Sequence, residues 1–420
     1  MIERPRGTRD FSIEEMEKRK FVEKSLQNTF QTFGYKQIQT PTFEQLELFT
    51  MKSGESIIDE LYSFQDKGGR DLALRPELTA PVIRMYVDQL QMKPKPLKLF
   101  YFGNCYRYDR PQKGRYREFM QAGCELIGTN NPEALAELIG LAYYLLYNSN
   151  VSDITLDIGN LNILKGIFHK MKFTDQLKKT ILPLIDKELF DDVKQVLIEN
   201  EFSSDQIDIF INLIQKTRIK DIETFFTDDE NMVSEINKMK EILELLKDGF
   251  GIRDFTLNLG IVRGLDYYTG MVFEIKAPKL GAEKQICGGG EYELIPLFNG
   301  RSTPTSGFAL GFDRTILAME LSKVTVPLSR LDYYIIPVTD DMIKPALQLT
   351  MKLRTQGFTT DIDLMQRGIG KAMKYASNQK TKKTIIFGPD EYENQMVSMK
   401  DMDSGEQQVI QIDKLGTNEN

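Results

Sequence analysis

From about Ile163 to Leu246 the chain carries no strand signal. Lys, Glu, Asp, Leu and Ile recur there at helical spacing, as in DKELFDDVKQVLIENEF, while short β-like runs lie on both sides. An all-helical block set inside β texture constrains the fold more than any other feature, and it reads as a helical insertion. The chain has 420 residues, which is long for one domain and sets an expectation of two to three. Ahead of the block, Ser12 and Glu15 form a capping box for a first helix that stops at Gly34. YKQIQTPTFEQ alternates like a strand and is broken by Pro41; LYSFQDKGGRDLAL reads as a hairpin turning at Lys67-Gly68-Gly69. A loop and helix follow in RPELTAPVIRMYVDQL, then two long strands joined by a basic loop in LKLFYFGNCYRYDRPQKGRYREFMQAGCELIG, then a helix announced by Asn131 and Pro132.

Strand texture returns at FTLNLGIVRG and runs through QICGGGEYELIPLF to a helix in FDRTILAMELSK. VTVPLSR reads as a linker. After it, DYYIIPV, FTTDIDL and TIIFG alternate with helical stretches and lead to two last strands, a small α/β domain of about ninety residues. The expected division is therefore 1–162 with 247–322 as one sheet domain, 163–246 as its insertion, 323–330 as linker and 331–420 as the second domain. There is no internal repeat, and the tail GTNEN is expected to fray.

Hydrophobic residues make up 41% and charged residues 27% of the chain, an ordinary globular balance. MIERPRGTRDFS contains no apolar signal region and no run is long enough to span a bilayer, so neither secretion nor a membrane is expected. Cys105, Cys124 and Cys287 are far apart without a CxxC; they read as buried structural thiols in a reducing cytoplasm. The net charge of −7 argues against a general nucleic-acid coat but leaves room for a local basic face. His169, the one histidine, sits in the lysine-rich helical stretch GIFHKMKF and reads as structural or surface. Ser-His, Cys-His and His-metal chemistry thus lack their usual residue, and any catalysis must run on carboxylates, arginines and positioning.

Five segments carry candidate chemistry. Arg107 to Phe119, RYDRPQKGRYREF, sets five basic side chains against Asp109 and Glu118, a net +3 in a negative chain. Arginines alternating at 115 and 117 suit bidentate phosphate contacts, or else a solvated hairpin. In RPELTAP, Glu77 fits the acidic first turn of a helix on local grounds. In QAGCE, Gln121 and Glu125 lie four apart and share one strand face with Phe119; Glu125 among apolar neighbours needs a partner if buried. GGGEY, Gly288 to Tyr292, opens no helix and reads as a tight turn or close backbone packing. The fifth segment, IVRGLDYYTGMVFE from Ile261 to Glu274, has strand-like flanks. Arg263, Asp266, two tyrosines and two glycines in its middle read either as a packed hairpin or as a ligand site that Gly264 and Gly270 let the backbone approach.

Together these segments resemble the histidyl-tRNA synthetases, class II aminoacyl-tRNA synthetases, along nearly the full chain. VRGLDYYTG looks like that family's histidine-specific signature. FGYKQIQTPTFE, YRYDRPQKGRYREFMQAGCE and GFALGFDR (307–314) look like class II motifs 1, 2 and 3. The resemblance implies an α+β class II catalytic domain, an antiparallel sheet flanked by helices with a helical insertion, plus a C-terminal α/β anticodon-binding domain and a homodimer with Pro41 at its interface. It implies ATP with Mg2+ as the substrate complex, no permanent cofactor, and histidine and tRNA(His) as the other substrates, with no DNA partner. Residue by residue, it places Arg107 on the α-phosphate and Arg115 on the β/γ phosphates, with Phe119 and Arg314 around the adenine, which Asp109 also approaches. Arg263 approaches the α-phosphate and the histidine carboxylate, where other class II enzymes use metal; no protein metal site is assigned. Glu77, Thr79 and Gln121 hold the α-amino group, Glu125 and Tyr268 read the imidazole, Tyr292 lines the pocket, and Gln112 faces the tRNA acceptor end.

The chemistry agrees, because adenylate formation is an in-line displacement that needs orientation and charge stabilisation rather than a general base. Two positions depart from the pattern: Asp109 stands where motif 2 usually has glutamate, and Glu291 where arginine is more usual. Two other readings compete. The family's non-catalytic paralogue, the regulatory subunit of ATP phosphoribosyltransferase, typically lacks the anticodon domain and erodes the catalytic arginines. A plain RNA-binding module would use Lys371, Lys374, Lys380, Lys382 and Lys383, but would leave the arginines and pocket carboxylates unexplained.

Overall fold

The computed structural model describes residues 2–110, 114–215, 218–262, 268–327 and 329–416. The chain divides into two compact units, Met1–Val326 and Pro327–Asn420. In the first unit the strands follow in the order β1 (Lys36–Gln37), β2 (Phe43–Gln45), β3 (Tyr62–Gln65), β4 (Asp71–Leu74), β5 (Leu97–Tyr106), β6 (Glu118–Ile127), β7 (Thr155–Asn160), β8 (Thr256–Leu257), β9 (Tyr268–Lys276), β10 (Gln285–Tyr292) and β11 (Thr305–Gly311). The helices are α1 (Ile13–Thr32), α2 (Leu46–Ser53), α3 (Thr79–Met85), α4 (Pro132–Asn148), α5 (Leu161–Lys170), α6 (Asp175–Asp186), α7 (Phe190–Glu199), α8 (Ser204–Ile214), α9 (Ile219–Phe225), α10 (Glu230–Glu244) and α11 (Phe312–Leu321).

An eight-stranded sheet orders as β1-β5-β6-β11-β10-β9-β7-β8. Its inner pairs are antiparallel and only the two edge pairs, β1 with β5 and β7 with β8, are parallel. Parallel neighbours need a long crossover. Between β7 and β8 that crossover is the helical segment α5 to α10. Its apolar faces do not form a separate core: Ile181, Val193, Leu197 and Phe210 join one buried cluster with Ile158, Phe273, Phe308 and the α4 residues Leu138 and Leu145. A small sheet, β2-β4-β3, stands apart with the hairpin turn at Lys67 to Gly69.

The ends of these elements follow from the sequence. Ser12 Oγ accepts from Glu15 N and Glu15 Oε2 accepts from Ser12 N, closing the capping box of α1. Asn131 Oδ1 accepts from Ala134 N, with Pro132 in the first turn of α4. GGGEY is not a turn. It lies in β10, paired on both sides, because a side chain at Gly289 has nowhere to go: a Cβ there would sit 2.6 Å from the Cα of Phe308. Close packing of backbone against the neighbouring strand, rather than a bend, is what the glycines serve. Cys105, Cys124 and Cys287 are buried free thiols, and His169 is exposed in the last turn of α5.

In the second unit β12 (Tyr333–Pro337), α12 (Ile343–Thr355), β13 (Thr360–Ile362), α13 (Ile369–Asn378), β14 (Lys383–Phe387), α14 (Pro389–Glu393), β15 (Met396–Asp401) and β16 (Gln407–Gln411) follow in order. The sheet runs β13-β12-β14-β15-β16, parallel at β13-β12-β14. β12 is apolar throughout because both faces are covered: Ile335 packs with Leu349 and Leu353 of α12, and Ile336 with Ala372 and Ala376 of α13. Among the described residues no helix is long and apolar enough to cross a membrane.

Gly289→Ala is expected to destabilise the first unit by about 1–3 kcal/mol, the usual cost of overpacking a rigid interior. Thermal unfolding followed by circular dichroism checks it, and a midpoint equal to wild type would refute the close-packing account.

Candidate active site

The alternation of β5 and β6 places the odd-numbered residues 99 to 105 and 119 to 125 on one sheet face. Phe119, Gln121 and Glu125 thus line up as their spacing predicted, with Tyr101 beside them on β5. Glu125 is 1% exposed. Its Oε1 accepts from Tyr101 Oη at 2.9 Å and its Oε2 from Tyr292 Oη at 2.5 Å. The Thr79 side chain also lies close enough to favour its ionised form. Gly307 on β11 makes room for this carboxyl, since a Cβ there would lie 2.8 Å from Glu125 Cδ. Burial pushes the Glu125 carboxyl up to about 8, even though the Tyr292, Tyr101 and Thr79 side chains favour the ionised form. Burial, then the Glu125 charge, also pushes the Tyr101 and Tyr292 hydroxyls up, so both remain donors. The Tyr268 ring meets Tyr292 edge-on, centroids 6.4 Å apart.

A cleft of about 540 Å³ opens next to this group. Arg107, Asp109, Arg115, Phe119, Gln121, Tyr268 and Arg314 all line it. Arg107 donates from Nε to the Pro76 carbonyl at 3.0 Å, and its guanidinium lies 5.3 Å from the Phe119 ring centre. Arg314, in the first turn of α11, donates from Nη1 to the Gln285 carbonyl at 2.7 Å and from Nε to the Gly114 carbonyl at 3.3 Å. Next to it, Asp313 Oδ1 accepts from Arg9 and Arg19 at 2.8 and 2.5 Å, and Oδ2 from Met120 N at 2.9 Å. That carboxylate fixes the start of α11 against β6, one residue from Phe119. Arg9 in turn stacks on Tyr116, 3.5 Å from the ring centre.

The basic segment differs from its expected form. β6 begins only at Glu118, so Arg115 and Arg117 do not alternate along a strand. Asp109, one methylene shorter than glutamate, takes Arg115 Nε at 2.9 Å, and Arg117 Nε donates to the Asp109 carbonyl while its guanidinium covers Tyr108 at 4.0 Å. Arg117 therefore holds the base of the loop together. Glu77 does what its place before a helix suggests: its carboxylate accepts from Thr79 N at 2.7 Å and Ala80 N at 3.1 Å, and pairs with Lys52 at 3.3 Å. It also lines a second cavity of about 240 Å³ with Arg107. Gln121 Oε1 faces the Cys105 thiol at 3.4 Å. Arg263 and Gln112 lie outside the described residues, as do Gly264, Asp266 and Tyr267.

Sequence reasoning missed Tyr101 and Asp313. Tyr101 stands in the apolar run LKLFYFG, where it reads as core. Asp313 takes its meaning from arginines 304 and 294 residues away.

The family model for histidyl-tRNA synthetase matches residues 7–315, and that for an anticodon binding domain matches residues 332–418. Histidine–tRNA ligase from Methanocaldococcus jannaschii is 44% identical over 423 residues, covering 99% of both chains. The crystal structure of apo histidyl-tRNA synthetase from S. aureus superposes with a TM-score of 0.72 at 29% identity, over 99% of this chain and 98% of that one. A Bacillus halodurans C structure titled as an ATP phosphoribosyltransferase regulatory subunit/histidyl-tRNA synthetase gives 0.80 at 24% identity, over 92% of this chain and 98% of that one; that likeness shows the fold alone.

The Glu125 carboxyl binds a proton more tightly in the folded protein than its ordinary value of 4.5 allows when unfolded. Between 4.5 and about 8 the folded state holds a proton the unfolded chain has released, so this group's contribution to stability falls as pH rises through that window. Glu125→Gln removes the dependence. Wild-type stability relative to the variant should decline by up to ~1.4 kcal/mol per pH unit and level off above the folded value. Denaturant titrations of ligand-free protein across the window check this; parallel pH profiles for the two proteins would refute it.

Proposed function

Because the chain belongs to the histidyl-tRNA synthetase family, we propose that it is a histidine–tRNA ligase. It activates histidine with ATP to histidyl-adenylate, releasing pyrophosphate, and transfers the histidyl group to the 3′ end of tRNA(His). The observation that carries the reading is the buried Glu125 between Tyr101 and Tyr292, set beside a cleft lined by Arg107, Arg115 and Arg314.

Histidine seats its imidazole against Glu125 and Tyr268, with Tyr292 closing the pocket. A neutral imidazole has one donor and one acceptor, which a carboxyl and phenols match. A site that hydrogen-bonds its substrate's side chain rejects analogues lacking those groups by roughly 10⁴ to 10⁵, so discrimination is completed at binding. Glu77, Thr79 and Gln121 take the α-amino group. ATP enters as its Mg2+ complex. Phe119 and Arg314 hold the adenine, with Asp109 nearby steering Arg115 to the β/γ phosphates. Arg107 and Arg263 orient the α-phosphate against the histidine carboxylate, and the charge that develops in the displacement falls on their guanidinium groups.

The second unit takes the tRNA anticodon end, where Lys371, Lys374 and Lys380 are exposed, and Gln112 meets the acceptor end. The protein works as a cytoplasmic homodimer. The exposed Phe43 and Phe64 rings, 6.3 Å apart on the small sheet beside Pro41, are the apolar surface that a second copy covers.

Purified protein is expected to catalyse histidine-dependent exchange of pyrophosphate into ATP, with no exchange driven by other amino acids. A folded protein without exchange would leave the regulatory-subunit reading instead. Arg263→Lys should lower the exchange rate at least ~100-fold with the fold intact, because lysine cannot present two donors in a fixed fork. Wild-type exchange in that variant would remove Arg263 from the mechanism.

A further inference from the structure

One buried carboxylate has no task in the reaction. Glu291 precedes Tyr292 on β10 and so points to the opposite face of the sheet, where it is 5% exposed. A carboxylate taken out of water needs partners, and this one has three from three elements. Its Oε1 accepts from Lys238 Nζ of α10 at 2.9 Å and from Asn130 Nδ2 at 3.0 Å; its Oε2 accepts from the backbone N–H of Met271 at 2.7 Å.

Met271 lies inside an irregularity of the β9–β10 ladder. Gly290 faces Val272, but the next pair is Tyr292 with Tyr268, so two steps on β10 span four on β9. Thr269, Gly270 and Met271 form the extra length, and the Glu291 carboxylate fills the space beside them. Gly270 is what admits it: a Cβ there would lie 2.9 Å from Glu291 Cδ and closer still to Oε2. The glycine expected to let backbone approach a ligand accommodates a carboxylate of the protein's own.

We propose that Glu291 is a positioning residue for the amino-acid pocket. It pins the β9 bulge that sets Tyr268 opposite Tyr292, and through Lys238 it ties that geometry to the helical crossover. The inference rests on the reading of this pocket as the histidine site. It assigns a role to a position where the family pattern more often carries arginine: a negative charge at this site is matched by Lys238 and by a glycine at 270. The docking of α10 is then felt on the other face of the sheet as the spacing of the two tyrosines.

The test is pyrophosphate exchange by the full chain with histidine and ATP varied in turn. Glu291→Gln should raise the KM for histidine ~10-fold or more while the KM for ATP stays within ~2-fold, the signature of lost binding on one substrate only. Lys238→Met, at a partly exposed position, should shift the histidine KM the same way by a smaller factor. Gly270→Ala should raise it in the wild-type background but add nothing to Glu291→Ala, since the clash exists only while the carboxylate is present. An unchanged histidine KM in Glu291→Gln and Lys238→Met, or equal losses for both substrates, would overturn the inference while leaving the ligase reading in place. A wild-type protein without histidine-dependent exchange would overturn that reading, and this inference with it.

Discussion

A carboxylate withdrawn from water must be met by donors, and the first unit is organised around three that are. Glu125, Asp313 and Glu291 each collect partners from separate stretches of the chain: two tyrosines from β5 and β10, two arginines and a strand N–H, a lysine, an asparagine and another strand N–H. Removing any one donor would leave a buried polar group short of partners, which costs more than the bond itself contributes. These groups therefore act as fixed points. Between them the sheet carries Phe119, Gln121, Tyr268 and Tyr292 at set positions, and a cleft lined by arginines can keep its shape without a ligand.

The helical crossover serves the same frame. A parallel edge pair, β7 with β8, could be joined by a single helix; here it takes six described helices. Their apolar residues complete the core under the sheet rather than building one of their own. α10 contributes Lys238 directly to the carboxylate behind the tyrosine pair. An element whose texture marks it as an insertion is thus part of the packing that holds the site.

What could be read from the sequence follows the range of the interactions involved. The capping box at Ser12, the Asn131-Pro132 helix start and the two long strands of motif 2 depend on neighbours a few residues away, and periodicity exposes them. Glu125 was legible because an acidic residue between apolar ones on a strand asks for a partner. Its partner Tyr101 was not, since a tyrosine in LKLFYFG has the same pattern whether its hydroxyl is used or idle. GGGEY reads as either a turn or close backbone packing because glycine has low strand propensity; the packing of Gly289 against Phe308, which decides between them, is a long-range fact. Arg117 looked like a phosphate ligand for the reverse reason: charge is visible in sequence, but the Asp109 carbonyl that accepts from it is not. The roles proposed for Arg107 and Arg314 come from the motif 2 and motif 3 resemblance, and no periodicity assigns them.

The protonation of Glu125 bears on how a histidine pocket achieves selectivity. Burial pushes the Glu125 carboxyl up to about 8, which favours its neutral form in the empty pocket. Free imidazole titrates near 6.5, so the incoming side chain is mostly neutral as well. In the proposed complex the carboxyl and the imidazole can share one proton, while Tyr101 donates to Oε1 and Tyr292 to Oε2. An amide or an aliphatic side chain of similar size cannot enter that exchange. An aliphatic side chain would leave the buried carboxyl without a matching group, and buried groups of this kind penalise such a mismatch far more than a missing methylene does. In the proposed ligase the burial that makes Glu125 costly to ionise is therefore the property from which discrimination between amino acids would arise.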